Sequence, residues 1–445
     1  MSESLPGMFE RAAEVLRRND MGGWTRAAPH LYPHQWSWDS AFIAVGLARL
    51  DTRRAISELT TLLDGQWTTG KIPHIVFNPE APPGSYLLGP EHWASASLSR
   101  SALGTPRPTS ALCQPAVHAI AALHIYEVSC GTADEEAARS FLLQAYPRLL
   151  AWHRYLATWR DPEGSGLVTI YHPWESGTDN SPRWDAALAN VKVGELSPYA
   201  RPDLGFVDEP SERPSSEEYD RFLWLVEGLK RARYDEATIY GSHPFLVKDV
   251  LFSAILVAAN GALGEIARII EAPDGDREAI GCWIERGRRG LDACYNEVLG
   301  LCLDHDLRSG EPLQVRTIAG FAPLISGDGG PHHEGLLRLF YSQAFVGHDR
   351  LRWPLPPSTS PEEARFHPRA YWRGPVWPVM GWLFWRSLRL AGEEERAAEL
   401  RRHSLEQLSA GGFAEYFEPF TGEPLGSDDQ SWTAAVALDW IATEA

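Results

Sequence analysis

The 445-residue chain is 44% hydrophobic and 22% charged, with a net charge of −18 distributed along its length. This composition excludes wholesale disorder and supplies a large core, while the negative balance argues against nucleic acid or an anionic membrane as partner. Its five cysteines form an odd number without Cys-x-x-Cys spacing, which predicts free thiols in a reducing compartment and neither a disulfide framework nor a zinc site.

Along the chain, helical periodicity dominates. Residues 8–18 predict an amphipathic opening helix, with Met8, Ala12, Val15 and Leu16 on one face. A nearly all-apolar helix begins at Trp38, and a more amphipathic one covers 52–64. The pattern returns at 110–130, 134–157, 215–233, 247–271, 276–299, 333–346, 374–391, 393–409 and 429–443. Extended pieces are expected only at 166–171 and near 413–417. Apolar helices (38–50, 111–128, 248–262, 375–386, 430–441) interleave with charged ones (52–64, 134–157, 276–291, 393–409). An all-round hydrophobic helix is buried and an amphipathic one faces solvent on one side. The alternation therefore predicts an all-α fold, an (α/α)6 barrel of an inner ring wrapped by an outer one. A large irregular helical domain is the plain alternative.

Two helix-poor stretches, about 66–109 and 186–214, carry aromatic and cationic residues and predict lids. Neither divides the chain, so 1–445 reads as one catalytic domain. No secretory signal opens the sequence, and the apolar run 376–385 is too short to span a bilayer. A cytoplasmic, soluble protein is expected, with homo-oligomerisation left open.

The chemistry concentrates in His172-Pro173-Trp174-Glu175-Ser176-Gly177-Thr178-Asp179-Asn180-Ser181-Pro182. Prolines at both ends disfavour regular helix or central strand and predict an ordered loop. An indole face beside carboxylates and an amide suits a sugar; an Asp that caps the next helix is the bland reading. A second such loop spans 411–422. There Glu415 lies between Phe413 and Phe417, and Glu418 precedes Pro419; Glu415 is the preferred candidate. Acetal hydrolysis needs a proton donor and a base, about 6.5–9.5 Å apart for inversion and about 5–5.5 Å for retention. Sequence supplies the residue types and leaves the spacing open.

In order, Gln35-Trp36-Ser37-Trp38-Asp39-Ser40-Ala41-Phe42, Gly70-Lys71-Ile72-Pro73-His74, the 174–182 loop, Tyr371-Trp372-Arg373-Gly374-Pro375-Val376-Trp377, the 413–419 loop and Gln430-Ser431-Trp432-Thr433-Ala434 resemble glycoside hydrolase family 63. That resemblance implies an (α/α)6 barrel and an inverting glycosidase without metal or organic cofactor. Asp179 is then the general acid and Glu415 the general base. Trp38, Asp39, Trp174, Gly177, Gln114, Trp372, Trp377, Gln430 and Trp432 would line the glycone pocket. Local alternatives are a helix cap for Asp39, backbone satisfaction for Gln114 and a core position for Trp377. The length resembles the bacterial mannosylglycerate and glucosylglycerate hydrolases. On that likeness Arg213 and Tyr219, in Arg213-Pro214-Ser215-Ser216-Glu217-Glu218-Tyr219, would recognise a carboxylate aglycone with Tyr86 and Tyr371. A solvated surface charge is the alternative for Arg213.

Competing readings are a neutral-oligosaccharide α-glucosidase or trehalase-like enzyme, a sugar epimerase or isomerase, and a non-catalytic sugar-binding protein. Paired histidines would suit the isomerase, whereas carboxylates occupy the best loops here. His332-His333-Glu334 lacks metal-ligand spacing, and Asp428-Asp429 is expected to cap the last helix.

Overall fold

The computed structural model describes residues 4–82, 84–95, 98, 107–206, 209–327 and 330–443. Ser4 caps α1 (Leu5–Asn19) by accepting the Gly7 N–H. Then come α2 (Ser37–Leu47), α3 (Thr52–Leu63), a short α4 (Pro90–Trp93), α5 (His118–Ser129), α6 (Glu135–Trp159) and α7 (Asp185–Ala189). The middle of the chain forms α8 (Ser216–Arg231), α9 (Glu236–Ser242), α10 (Val250–Ile269) and α11 (Asp274–Ala293). The last third forms α12 (Ala322–Ile325), α13 (His333–Phe340), α14 (Pro378–Leu390), α15 (Glu394–Gly411) and α16 (Ser431–Ala442).

The helices close as two rings. In the inner ring α2 packs on α5, α5 on α10, α10 on α12, α12 on α14, α14 on α16, and α16 back on α2. Outside them α3 lies on α2 and α5, α6 on α5 and α10, α11 on α10 and α12, α13 on α12, α15 on α14 and α16, and α1 on α16. This is the (α/α)6 barrel. Every residue of α2, and of α16 from Ser431 to Ile441, is buried, as an inner position demands. By length and composition α10 could cross a bilayer, although charged Glu265 and Arg268 interrupt its apolar run. Most of it is buried in the ring, which accounts for its apolar character.

Several boundaries depart from expectation. The helix expected over 110–130 begins only at His118, because Pro115 forces the preceding segment out of helix. Residues 247–248 form a strand before Asp249 caps α10, accepting from the Leu251 and Phe252 N–H groups at 2.9 and 3.1 Å. The segment 276–299 stops as helix at Ala293 and turns into a hairpin, Tyr295–Asn296 against Leu301–Cys302. The fourth inner position belongs to the short turn of Ile318–Phe321 and α12, which the periodicity did not reveal. The helix of 215–233 is α8, which stands outside the ring and carries part of a lid. Asp429 does not cap α16, whose cap position is Gln430; it pairs with Arg18 at 3.0 Å and fastens α1 to the end of the chain.

One small antiparallel sheet orders Thr169–Ile170, Val247–Lys248, Asp304–Asp306 and Glu311–Leu313. Two-residue ladders join Gln35–Trp36 to Ile75–Val76 and Tyr416–Phe417 to Pro424–Leu425. The ladders at Gln35 and Tyr416 run beside the N-terminal ends of the inner helices, where the pocket opens.

Candidate active site

Asp179 sits on a loop pinned at both shoulders. Pro173–Ser176 and Pro182–Trp184 are single 3-10 turns, so the proline-bounded segment is an ordered loop as expected. Before Asp179, the buried Glu175 takes both ends of the Arg160 guanidinium at 2.7 and 2.8 Å and the Tyr171 N–H at 2.7 Å. Burial opposes its charge, but Arg160 and these hydrogen bonds hold its carboxyl down at about 2. Glu175 is thus a fixed anion committed to the scaffold. After Asp179, Arg183 bonds Asp304 at 2.9 Å and Asp249 at 3.3 Å, and the Trp184 indole N–H donates to the Thr178 carbonyl at 3.1 Å. Gly177 has φ +71°, and a Cβ there would meet the Trp38 indole at 2.5 Å. Glycine is required on both counts.

Asp179 does not cap the following turn; Ser181 does. Burial raises its carboxyl to about 7, helped by the negative Glu415 and opposed by Arg213. It is therefore a carboxylic acid that still holds its proton near neutral pH. Asp39 lies in the first turn of α2, whose cap position is Trp36, so the capping role is not taken. Burial and the charge of Glu415 push its carboxyl well upward too.

Glu415 is held differently. The Tyr32 hydroxyl donates to its Oε1 at 2.8 Å, the Tyr371 hydroxyl at 3.4 Å, and the Ser427 N–H and hydroxyl reach Oε2 at 3.1 and 3.2 Å. Four donors keep a carboxylate anchored. Glu418 is spent on its own turn, accepting from the Phe420 N–H and from Thr421, and does not line the pocket. The choice of Glu415 over Glu418 thus has a structural reason.

Arg213 is 7% exposed, so the surface-charge alternative fails. Its guanidinium lies over the Tyr371 ring at 4.7 Å, and Nη2 stands 3.8 Å from Glu415 Oε2. Nε and Nη2 are buried without a hydrogen-bond partner. Against the cost of burial, the surrounding tyrosine oxygens and Glu415 keep it cationic. The turn preceding it is tied down by Glu212, which takes Arg369 at 2.8 Å.

These groups line one pocket with about 800 Å³ of atom-free space, the open solvent of its mouth included. Trp38, Asp39, Tyr86, Gln114, Trp174, Gly177, Asp179, Arg213, Tyr219, Tyr371, Trp372, Glu415, Gln430 and Trp432 all face it. Trp377 does not. It is buried behind Trp372, ring to ring at 3.8 Å and 3° from parallel, and backs the wall as its core alternative foresaw. Gln114 does both jobs: it faces the pocket and accepts the Trp38 N–H at 3.3 Å. Asn180 accepts the Trp372 N–H at 2.8 Å and so locks one wall to the acid loop.

The sequence reading missed Leu31, Tyr32, Trp36, Asp203 and Pro214 as wall residues and placed His74 only on a lid. Trp36 is the second residue of the motif that begins at Gln35, a membership that could have flagged it. Asp203 has no such signature. Away from the pocket, His333, Glu334 and Glu393 approach one another, but Glu393 is engaged by His333 and Arg396. The Gly327–Gly330 run is described only at its ends; residues 328 and 329 lie outside the described residues.

Three comparisons bear on this site. The model of the mannosylglycerate hydrolase MGH1-like glycoside hydrolase domain matches residues 32–433. A glucosylglycerate hydrolase of Mycolicibacterium hassiacum is 48% identical, with 97% of each chain covered, and a mannosylglycerate hydrolase of Thermus thermophilus is 42% identical over 97% of this chain and 99% of that one. A crystal structure of the family 63 mannosylglycerate hydrolase from Thermus thermophilus with Tris and D-glycerate superposes with a TM-score of 0.88. It is 41% identical and covers 97% of this chain and 99% of that one.

Proposed function

Because this chain belongs to the MGH1-like glycoside hydrolases of family 63, we propose that it hydrolyses an α-linked hexosyl glycerate, glucosylglycerate or mannosylglycerate, with inversion. Asp179 gives its proton to the glycosidic oxygen as the C1–O bond breaks, and the bonding pair leaves with that oxygen as the hydroxyl of glycerate. Glu415 takes a proton from the water that attacks C1 on the opposite face, releasing free hexose. Exchange with solvent then restores both groups. A proton-holding acid and a multiply hydrogen-bonded carboxylate in one pocket match this division of labour. Asp39, Gln114, Gln430 and the indoles of Trp38, Trp174, Trp372 and Trp432 would hold the sugar ring. Tyr86 and Tyr219 would offer hydroxyls to the glycerate, while Tyr32 and Tyr371 hold Glu415.

One observation carries the choice of a carboxylate aglycone. Arg213 is a buried guanidinium with unpartnered N–H groups, turned into the same pocket as the two carboxyls. An unpaired buried cation is costly unless a ligand anion completes it, and a guanidinium fork fits a carboxylate. A neutral-oligosaccharide glucosidase gains nothing from such a residue. We read the chain as one catalytic unit because its first helix and its last close the ring together. Its setting is a reducing cytoplasm, with all five cysteines free.

The test is turnover of glucosylglycerate, mannosylglycerate, trehalose and kojibiose, with proton NMR of the first anomer released. The glycerate compounds turn over and the β-anomer of the hexose appears first; an α-anomer first overturns inversion. Asp179→Asn keeps the fold by circular dichroism and loses on the order of 10²–10⁴ in kcat; near-normal activity removes Asp179 from the acid's role.

A further inference from the structure

Among the described residues of the pocket wall, Arg213 is the one Lys or Arg. The other charged or titratable groups facing this space are Glu415 from the loop before α16, Asp39 from α2 and Asp203 from the 186–214 lid. His74, whose burial holds it neutral, and the hydroxyls of Tyr32, Tyr86, Tyr219 and Tyr371 complete the set. Two charges act on Asp179, and they oppose each other: Glu415 favours the protonated carboxyl and Arg213 favours the anion. Glu415 is secured by Tyr32, Tyr371 and Ser427. Arg213 has no comparable hold: its nearest carboxylate oxygen is 3.8 Å away, and two of its nitrogens lack hydrogen-bond partners. The pocket therefore holds a loosely paired cation, short of hydrogen-bond partners, that acts against the protonation state an acid catalyst needs.

We propose that the aglycone's carboxylate arms the acid: by pairing with the unpartnered guanidinium of Arg213 it neutralises the one cation that shares the described pocket wall with Asp179, so the substrate itself keeps the proton in place. This rests on the glycerate reading above and goes beyond recognition. Arg213 selects carboxylate aglycones through turnover as well as through binding. A neutral aglycone of the same size leaves the guanidinium free to draw Asp179 toward its anion, so the acid of that complex loses its proton at lower pH than in the glycerate complex. The proton retained is the one passed to the leaving oxygen, so no further reactant enters. Binding energy from the remote carboxylate is thereby expressed at the reacting bond.

The experiment compares kcat against pH for an α-hexosyl glycerate and the matching α-hexosyl glycerol, in which a hydroxymethyl group replaces the carboxylate. At saturation kcat reports the acid within the complex. The descending limb lies about one pH unit or more higher for the glycerate, the size expected when a nearby opposite charge is neutralised. In Arg213→Met the two limbs converge. Coincident limbs in the unaltered enzyme overturn the proposal while leaving glycerate hydrolysis intact; absence of hydrolysis of either hexosyl glycerate overturns the functional reading instead. A binding measurement covers the case of a glycerol glycoside too slow to profile. The ¹³C-labelled Asp179 carboxyl, followed by NMR, titrates higher with saturating D-glycerate than with glycerol, and equal titration refutes the arming.

Discussion

At the scale of single residues, the site works by giving similar carboxyls dissimilar surroundings. Asp179 is buried and raised to about 7, while Glu175, four positions earlier, is held at about 2 by Arg160. The sign for catalysis follows: an acid raised in this way is protonated below about 7 and loses its proton above. The kcat/KM profile, which reports the free enzyme, is therefore expected to descend about tenfold per pH unit above roughly 7. A profile flat through pH 8 removes Asp179 as the acid. Gly177 gives a second expectation. Gly177→Ala places a Cβ in a left-handed conformation at 2.5 Å from the Trp38 ring, at a cost of about 1–2 kcal/mol from backbone handedness alone. The loop must shift, and kcat/KM falls more steeply than thermal stability; unchanged kinetics would show that the approach of the loop to Trp38 is not needed. The motif residues were legible because their types are chemically unusual together. Tyr32 was not, since its bond to Glu415 spans 383 residues and no local pattern encodes it.

At the scale of elements, the lid is built from short-range devices that the sequence does spell out. Ser215 and Glu218 form a reciprocal capping box that starts α8, with bonds of 2.8 and 3.2 Å. Just outside it, Arg201 holds Asp203 through two bonds at 2.8 and 2.6 Å, donates to the Pro214 carbonyl at 3.0 Å and stacks 3.5 Å over the Tyr219 ring. The Tyr219 hydroxyl returns to Asp203 at 3.3 Å. This cluster positions three wall residues, Asp203, Tyr219 and the Pro214 beside Arg213, without touching the reacting bond. Arg201→Ala is thus expected to raise KM for a hexosyl glycerate by about tenfold, the equivalent of one lost charged hydrogen bond of roughly 1.5 kcal/mol, with little change in kcat. Equal losses in kcat and kcat/KM would instead make the cluster part of transition-state binding. Elements with several turns of periodic apolar residues were legible. The fourth inner position was not, because Ala322–Ile325 is a single turn and periodicity needs a longer window. Pro115 displaced the start of α5 in the same way that Pro378, at the first turn of α14, fixed the beginning of that helix.

At the scale of the molecule, what matters is that the ring closes, and it closes where the ends of the described chain meet. Arg18 and Asn19 at the end of α1 bond Asp429 and Ser431 at the start of α16, while α16 packs on α2 to complete the inner circle. Asp439 on α16 gathers Arg49, His124 and the Trp382 indole N–H at 2.8, 3.2 and 2.8 Å, joining four parts of the ring at one buried carboxylate. Alternation of apolar and amphipathic helices made the two layers legible; which helices touch across the closure depends on contacts hundreds of residues apart. Two inner-ring glycines separate local helix preference from closure. Gly46 on α2 lies so near α16 that a Cβ would stand 2.3 Å from the Ala435 Cα, whereas a Cβ at Gly261 on α10 meets nothing within 4 Å. Both lie within helices, so propensity alone favours alanine at each by about 0.5–1 kcal/mol. Closure reverses the sign at one of them. Gly261→Ala should raise the unfolding free energy by that amount, and Gly46→Ala should lower it by about 1–3 kcal/mol through overpacking, both read from denaturant midpoints at constant slope. If the two variants move in the same direction, the α2–α16 contact is not what holds the ring shut, because a loosely closed barrel would absorb one added methyl as easily as the exposed face of α10 does.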